Sequence, residues 1–449
     1  MLTLLLSLSF AAEKPAWVPQ TVTLPGTIAG VDIVRSEVDG WIQRTAGGGY
    51  DQWGAAEFDG GADSVAPSRP MSRRAGGPVP SMAPPPPSPP IDEVGGVYGG
   101  EVQSSDPLKA GSTDDNAAFG EFLEFVATWK GRPGIAGNHI DMDVARRSAI
   151  EVRGADGSPL PGAHVSVSQN GRHVWSGTTY GDGKAPFYPD VVGAKGSDFT
   201  VTVTHDHVGA TKSWSGAKPL VLSLDDEAKD AVSLDVVFVI DTTGSMSDEI
   251  ERIKQTLLAV TAKVQDLDRP IDLRYGAVLY RDIGDEYLTR HTPLTSDLKG
   301  FDGKLQQIRA DGGGDGPESY NQGLAVAVGE MDWRDDAAKL VFVVADAPPH
   351  MDYENDVDYA RVSQAALSQG IRVHTVAASG LDDFGSLVFR QTAQLTQGQF
   401  IFIEYGSTAA SAADHGVTGP VSSNNLDAIL LRQITREVEG WGQNLVAMK

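Results

Sequence analysis

Residues 236–246 read VVFVIDTTGSM. Five apolar, mostly β-branched residues in a row suit a strand buried on both faces, as in the middle of a parallel sheet. An abrupt polar turn follows. Ser247, Asp248 and Glu249 then supply a capping hydroxyl and first-turn acids, and Ile250, Ile253, Leu257 and Val260 recur at helical spacing. One carboxylate and two hydroxyls, from Asp241, Thr243 and Ser245, therefore occupy alternate positions in a strand-to-helix turn. The carboxyl ends of parallel strands are where such folds place ligands. Hard oxygen donors at that point suit Mg²⁺, with Mn²⁺ or Ca²⁺ as alternatives.

The sequence downstream keeps alternating between the two periodicities. Strands are predicted at Ile271–Tyr280, Leu288–Leu294, Lys339–Ala345, Ile371–Ala378 and Phe400–Ile403. Helices are predicted at Leu298–Ile308, Tyr320–Met331, Val357–Ser368, Phe384–Thr396 and Leu426–Val438. Alternation of this kind implies an α/β fold with a doubly wound, mostly parallel sheet. The Leu288–Leu294 segment follows its predecessor after too short a turn for a crossover, so it is expected to run antiparallel at an edge, where Pro293 is tolerated.

Asp241-x-Thr243-x-Ser245 resembles the Asp-x-Ser-x-Ser signature of the von Willebrand factor type A domain, whose metal-ion-dependent adhesion site binds a divalent cation. The resemblance implies further ligands from two other loops. One is Asp346 in VFVVADAPPH, after a later strand; the other is Asp315 in GGGDGPES, standing where the family has a threonine. A cation held largely by hydroxyls and water keeps an open position that an Asp or Glu of another protein can complete. Asp315 adds a negative charge and weakens that attraction. Asp282 and Asp285 in YRDIGDEY, Glu318 after the glycine run, and His350 after Asp346 are expected near the same end of the sheet, as partner-contacting residues.

Length and composition set the outer limits. The chain has 449 residues and a formal charge of −24, from 60 acids against 36 bases, which argues against nucleic acid or an anionic membrane as a partner. With 0 cysteines, disulfides and thiolate metal sites are excluded. Residues 1–12, MLTLLLSLSFAA, have the shape of a short secretory signal, so the protein is expected to be exported to the periplasm, the cell surface or the medium. No later window approaches the ~20 apolar residues of a membrane span.

Residues 13–57 contain two candidate strands, Gln20–Leu24 and Gly30–Val34, without an assignable fold. From 58 to 107 the composition collapses into Gly, Pro, Ser and Ala, the mark of a disordered or extended spacer. A short amphipathic helix is predicted at Ala117–Trp129 within 108–140, packing on the module that follows. Residues 141–225 show short alternating strands and hairpin turns, including Asn170-Gly171 and Gly181-Asp182-Gly183, and imply an all-β sandwich. The run from Val152 to Phe187 resembles the carboxypeptidase-regulatory-like sandwich. His205 and His207 flank Asp206 at a strand end; a His-x-His pair can bind zinc, but with no third ligand in view both are expected to be exposed.

Three functional readings remain in play. The resemblance implies a non-enzymatic, cation-dependent protein-binding module occupying 231–449. A scaffold or envelope assembly protein with a structural cation is the second. A phosphohydrolase of the haloacid dehalogenase type also starts from an apolar strand ending in aspartate, but needs a second carboxylate two residues later, where this chain has Thr243. Neither a phosphate-binding glycine loop nor a Gly-x-Ser-x-Gly elbow is present.

Overall fold

Val232–Asp241 is the central strand of an eleven-stranded sheet. The computed structural model describes residues 22–28, 30–47, 107–228, 232–267, 270–314 and 316–441, and the elements below all come from these. In chain order they begin with β1 (Thr27–Ile28), β2 (Val31–Val38), β3 (Trp41–Gly47), β4 (Lys109–Thr113) and α1 (Phe119–Trp129). An all-β module follows: β5 (Ser148–Arg153), β6 (His164–Gln169), β7 (Arg172–Thr178), β8 (Lys184–Phe187), β9 (Phe199–His205), β10 (Val208–Trp214) and β11 (Leu220–Ser223). The last part contains β12 (Val232–Asp241), α2 (Ile250–Gln265), β13 (Ile271–Tyr280), β14 (Thr289–Thr295), α3 (Leu298–Gln307), α4 (Tyr320–Gly329) and β15 (Ala337–Ala345). It ends with α5 (Tyr359–Ser368), β16 (Ile371–Ala377), α6 (Asp383–Leu395), β17 (Phe400–Ile403), α7 (Thr408–Asp414), β18 (Ser422–Asn425) and α8 (Leu426–Gly440).

The order β13-β12-β15-β16-β17 is parallel throughout. Side chains of β12 alternate between two cores, as a period of two requires. Val236, Phe238 and Ile240 meet α2, α3 and α8; Val237 and Val239 meet the side carrying α4, α5 and α6. Phe238 shows how tightly the first core is filled, with the rings of Tyr275, Phe301 and Phe342 centred 6.0, 6.3 and 6.0 Å away. A fully buried phenylalanine of this kind contributes about 2–3 kcal/mol. The expected alternation of strands and helices is therefore present, with most boundaries shifted by a residue or two; β12 begins four residues ahead of Val236, and α7 and β18 were not expected.

Strand β14 runs antiparallel to β13 as expected, but it is not at an edge. Strand β3 pairs with it from Thr289↔Arg44 to His291↔Ile42, and β2 and β1 extend the sheet further. Pro293 is tolerated for a different reason: the β3 pairing stops before it, and the register with β13 shifts across it. Val22–Pro25 form no strand.

The opposite end of the sheet is also completed from outside residues 231–449. Strand β4 lies between β17 and β18, antiparallel to both. It is only five residues long and reads KAGST, which carries no apolar alternation. Gly111 is required there, because a Cβ would lie 2.3 Å from the Phe402 ring. Helix α1 buries Phe122, Phe125 and Trp129, but its main partner is α6 rather than the β module. Arg390 of α6 forms a two-bond ion pair with Asp115 at 2.7 and 2.9 Å, and its guanidinium lies 3.7 Å over the Phe125 ring.

The β module packs a four-stranded sheet, β10-β9-β6-β7, on a three-stranded one, β11-β5-β8. Trp175, Phe187, Phe199 and Trp214 lie between them with ring centres 5.2–6.0 Å apart along the chain of contacts. Strands β8 and β10 were not legible: β10 is an outer strand whose residues are mostly exposed, so it carries little apolar signal. The module docks through the turn after β7, where the Tyr180 hydroxyl donates to the Thr396 carbonyl at 3.1 Å and Gly181 N–H to Glu437 Oε1 at 2.9 Å.

Candidate functional site

The ends of β12 and β15 bring the first and last predicted ligands together. Asp241 Oδ1 accepts from the Thr243 N–H at 2.9 Å and from its hydroxyl at 2.7 Å. The Thr243 and Ser245 hydroxyls are 3.2 Å apart, and Ser245 Oγ donates to Asp346 Oδ1 at 3.0 Å. The turn reaches this shape through a short 3₁₀ segment, Gly244–Asp248, before α2 begins. Ser247 does not cap α2 as expected; its hydroxyl donates back to the Gly244 carbonyl.

Asp241 and Thr243 are wholly buried and Asp346 nearly so. Asp241 Oδ2 makes no hydrogen bond of ordinary geometry. Burial, with the negative charge of Asp346 added, pushes the Asp241 carboxyl up to about 7, against the hydrogen bonds from Thr243 and a weak contribution from the Tyr280 hydroxyl. Burial raises Asp346 as well, against the Ser245 hydrogen bond, and the charge of Glu249 adds to the rise. Two carboxylates and two hydroxyls that crowd one buried point, with an oxygen left unbonded, are a donor set that could hold a hard divalent cation.

The glycine loop closes over this point. Gly244 N–H donates to the Gly312 carbonyl at 2.9 Å, and Asp311 N–H to the Thr242 carbonyl at 3.0 Å. Gly312 and Gly313 take φ values of 79° and 72°, in the left-handed region that favours glycine. A Cβ on Gly313 would sit 2.8 Å from Glu318 Oε1 and 3.2 Å from Thr243 Cβ. Asp315 lies outside the described residues. Asp285 is the clamp on this loop, accepting the Gly313 N–H at 2.9 and 3.1 Å.

The other three residues expected at a partner-facing surface are buried instead. Asp282 accepts from Ser319 Oγ at 2.7 Å and Tyr353 OH at 2.8 Å, with His350 Nε2 3.4 Å away. Burial disfavours the His350 imidazolium, but its contacts with Asp282 and Asp352 outweigh that and push it up to about 9. Glu318 N–H donates to the Pro348 carbonyl at 2.9 Å, and His350 N–H to the Glu318 carbonyl at 3.1 Å. Asp282, Glu318 and His350 therefore stitch the loops after β13 and β15 to the turn before α4. Their burial is not legible locally, because a polar loop residue looks solvated until the neighbouring loops cover it.

Glu249, expected as no more than a first-turn acid of α2, belongs to the site. Its carboxylate accepts from Ser379 N–H at 3.2 Å and from the Tyr405 hydroxyl, drawing in the loops after β16 and β17. The one available signal was an acid four residues beyond Ser245.

Residues 235–405 match the family model of the von Willebrand factor A domain. The chain carries an A domain. Over 119 residues it is 31% identical to alpha-protein kinase vwkA of Dictyostelium discoideum, covering 26% of this chain and 19% of that protein. Over 117 residues it is 29% identical to a putative ariadne-like RING finger protein of Acanthamoeba polyphaga mimivirus, covering 26% of this chain and 11% of that one. The chain thus spans about a fifth or less of these relatives' lengths. Among solved structures, the pilus adhesin SpaC of Lactobacillus rhamnosus GG, in its open conformation, aligns at 13% identity and TM-score 0.33, covering 54% of this chain and 32% of that one. BatB of Bacteroides thetaiotaomicron aligns at 16% identity and TM-score 0.30, covering 41% of this chain and 97% of that one. Among the described residues, no helix is long and apolar enough to cross a membrane.

Proposed function

We propose that this A domain is a non-enzymatic binding module that uses a divalent cation, Mg²⁺ by preference over Mn²⁺ or Ca²⁺, to engage another protein. Asp241, Thr243, Ser245 and Asp346 hold the ion, Asp315 lies in the loop that completes the shell, and an Asp or Glu of the partner takes the open position. The observation that carries this reading is the approach of Ser245 Oγ to Asp346 Oδ1 at 3.0 Å beside the buried, unbonded Asp241 Oδ2. Apolar strands bring these oxygens to one point, at a cost in buried charge that a bound cation offsets while the carboxylates stay ionised. The N-terminal segment 1–12 fits export.

Calorimetric titration of the full chain with Mg²⁺, followed by capture of exported proteins in Mg²⁺ and in chelator, tests this. Binding heat, and capture that disappears with chelator and with Thr243→Ala, is the expected result. No heat from the wild type, or equal capture in both conditions, would overturn it.

A further inference from the structure

A second cluster of donors lies far along the chain from the A-domain loops, where the β module meets the connection into β12. His205 ends β9 and Asp206 forms the hairpin turn into β10, with φ of 44°. Asp226 sits between β11 and β12. One donor atom from each of the three lies within 4.8 Å of the others. His205 is 9% exposed, correcting its expected place at the surface, and its Nδ1 is 2.8 Å from Asp226 Oδ2. The Asp226 carbonyl is itself fixed by the Ala155 N–H at 2.9 Å, so this carboxylate is not on a free tail.

A cleft of about 110 Å³ adjoins the cluster, with His205 and Asp206 on one wall and His164, Asp335 and Asp336 on the others. No Lys or Arg is among the residues lining it. The site thus differs in chemistry from the A-domain centre: it combines a buried imidazole with carboxylates, where the other offers oxygen alone. Imidazole with carboxylate favours a borderline transition metal over Mg²⁺. Zinc bonds of 2.0–2.2 Å place tetrahedral ligands about 3.4 Å apart, so a separation within 4.8 Å closes by small side-chain movements.

We propose that His205, Asp206 and Asp226 form a second cation site, for Zn²⁺ or a similar transition metal ion. The ion takes a ring nitrogen of His205 and a carboxylate oxygen from each aspartate, leaving a position toward the cleft for water or one of its acids. Its effect is to staple the β9–β10 turn to the connection that leads into the central strand of the A domain.

Tag-free full chain in excess Mg²⁺, which saturates the oxygen site, is titrated with Zn²⁺ by calorimetry and with Co²⁺ by visible absorption. Stoichiometric Zn²⁺ binding and the Co²⁺ bands of a nitrogen-containing shell are expected. Asp206→Asn should weaken binding at least about tenfold; Asp206 is exposed, and asparagine tolerates its positive φ, so the fold is retained. His205→Gln should abolish the Co²⁺ bands, and Asp241→Asn should leave them unchanged. Absence of binding in the wild type, unchanged binding in Asp206→Asn and His205→Gln, or bands lost in Asp241→Asn would each overturn the proposal.

Discussion

Ser245 and Asp346 are 101 positions apart in the chain, and the hydroxyl of one donates to the carboxylate of the other at 3.0 Å. The contact exists because β12 and β15 pair in parallel from Ser233↔Ala337 to Ile240↔Val344, which brings the residues following each strand to the same level. The energetic consequence is a pair of buried carboxylates whose charges oppose one another.

Removing one of those charges should separate stability from metal binding. Above about pH 7, where the Asp241 carboxyl is ionised, Asp241→Asn is expected to stabilise the metal-free protein by about 1–3 kcal/mol, since a buried ionised group is replaced by a neutral one. The wild type is expected to gain about 2.7 kcal/mol of stability at a hundredfold excess of Mg²⁺ over Kd, read as a rise in melting temperature, and the same variant to lose that gain. Thermal unfolding with and without Mg²⁺ measures both.

The glycine loop should be sensitive to a single carbon. Gly313→Ala places a methyl 2.8 Å from Glu318 Oε1 at a φ of 72°. A cost of about 1–2 kcal/mol in stability is expected, together with weaker Mg²⁺ binding. Asp285→Ala, which releases the Gly313 N–H, should weaken Mg²⁺ binding with less effect on stability. Denaturant melts and calorimetry distinguish the two variants.

Asp115 and Arg390 are each 2% exposed on their side chains. Asp115→Ala leaves the guanidinium buried without its carboxylate and should cost about 3–5 kcal/mol, whereas replacing both residues by apolar ones of similar volume should recover much of that loss. Chemical denaturation of the single and double variants gives the comparison.

Acid should destabilise the fold before most carboxylates titrate. Burial, helped by nearby arginines, lowers His291 to about 4, and burial lowers His415 to about 4 against the pull of Asp414. Both pKa values are depressed in the folded chain, so between the unfolded value near 6.5 and 4 the unfolded state binds more protons. The contribution of these two histidines is therefore present in full above about pH 6.5 and falls as pH drops toward 4, by about 3 kcal/mol for each. His291→Gln should flatten that part of the profile.

A fragment beginning at residue 231 should fail as an isolated A domain. It lacks β4, so β17 and β18 lose the strand between them and Phe400–Ile403 presents an open, apolar edge. Aggregation on size-exclusion chromatography is expected for 231–449, and monodisperse behaviour for a chain that starts ahead of Lys109.

The parallel core was legible because its signals are local. Unbroken β-branched runs mark strands buried on both faces, and Asp241, Thr243, Ser245 and Asp346 stand directly at the ends of two such runs. The long helices were legible for the same reason, since one apolar stripe is enough to orient them. What tertiary structure alone decided lies where local pattern is weak. Lys109–Thr113 becomes an interior strand with hardly any apolar residue, because β17 and β18 already supply the hydrogen-bonding edges on either side. Asp282, Glu318 and His350 are polar loop residues whose burial depends on three loops closing together. Glu249 and Asp226 gain their partners, Tyr405 and His205, only through chain reversals that no spacing in the sequence encodes.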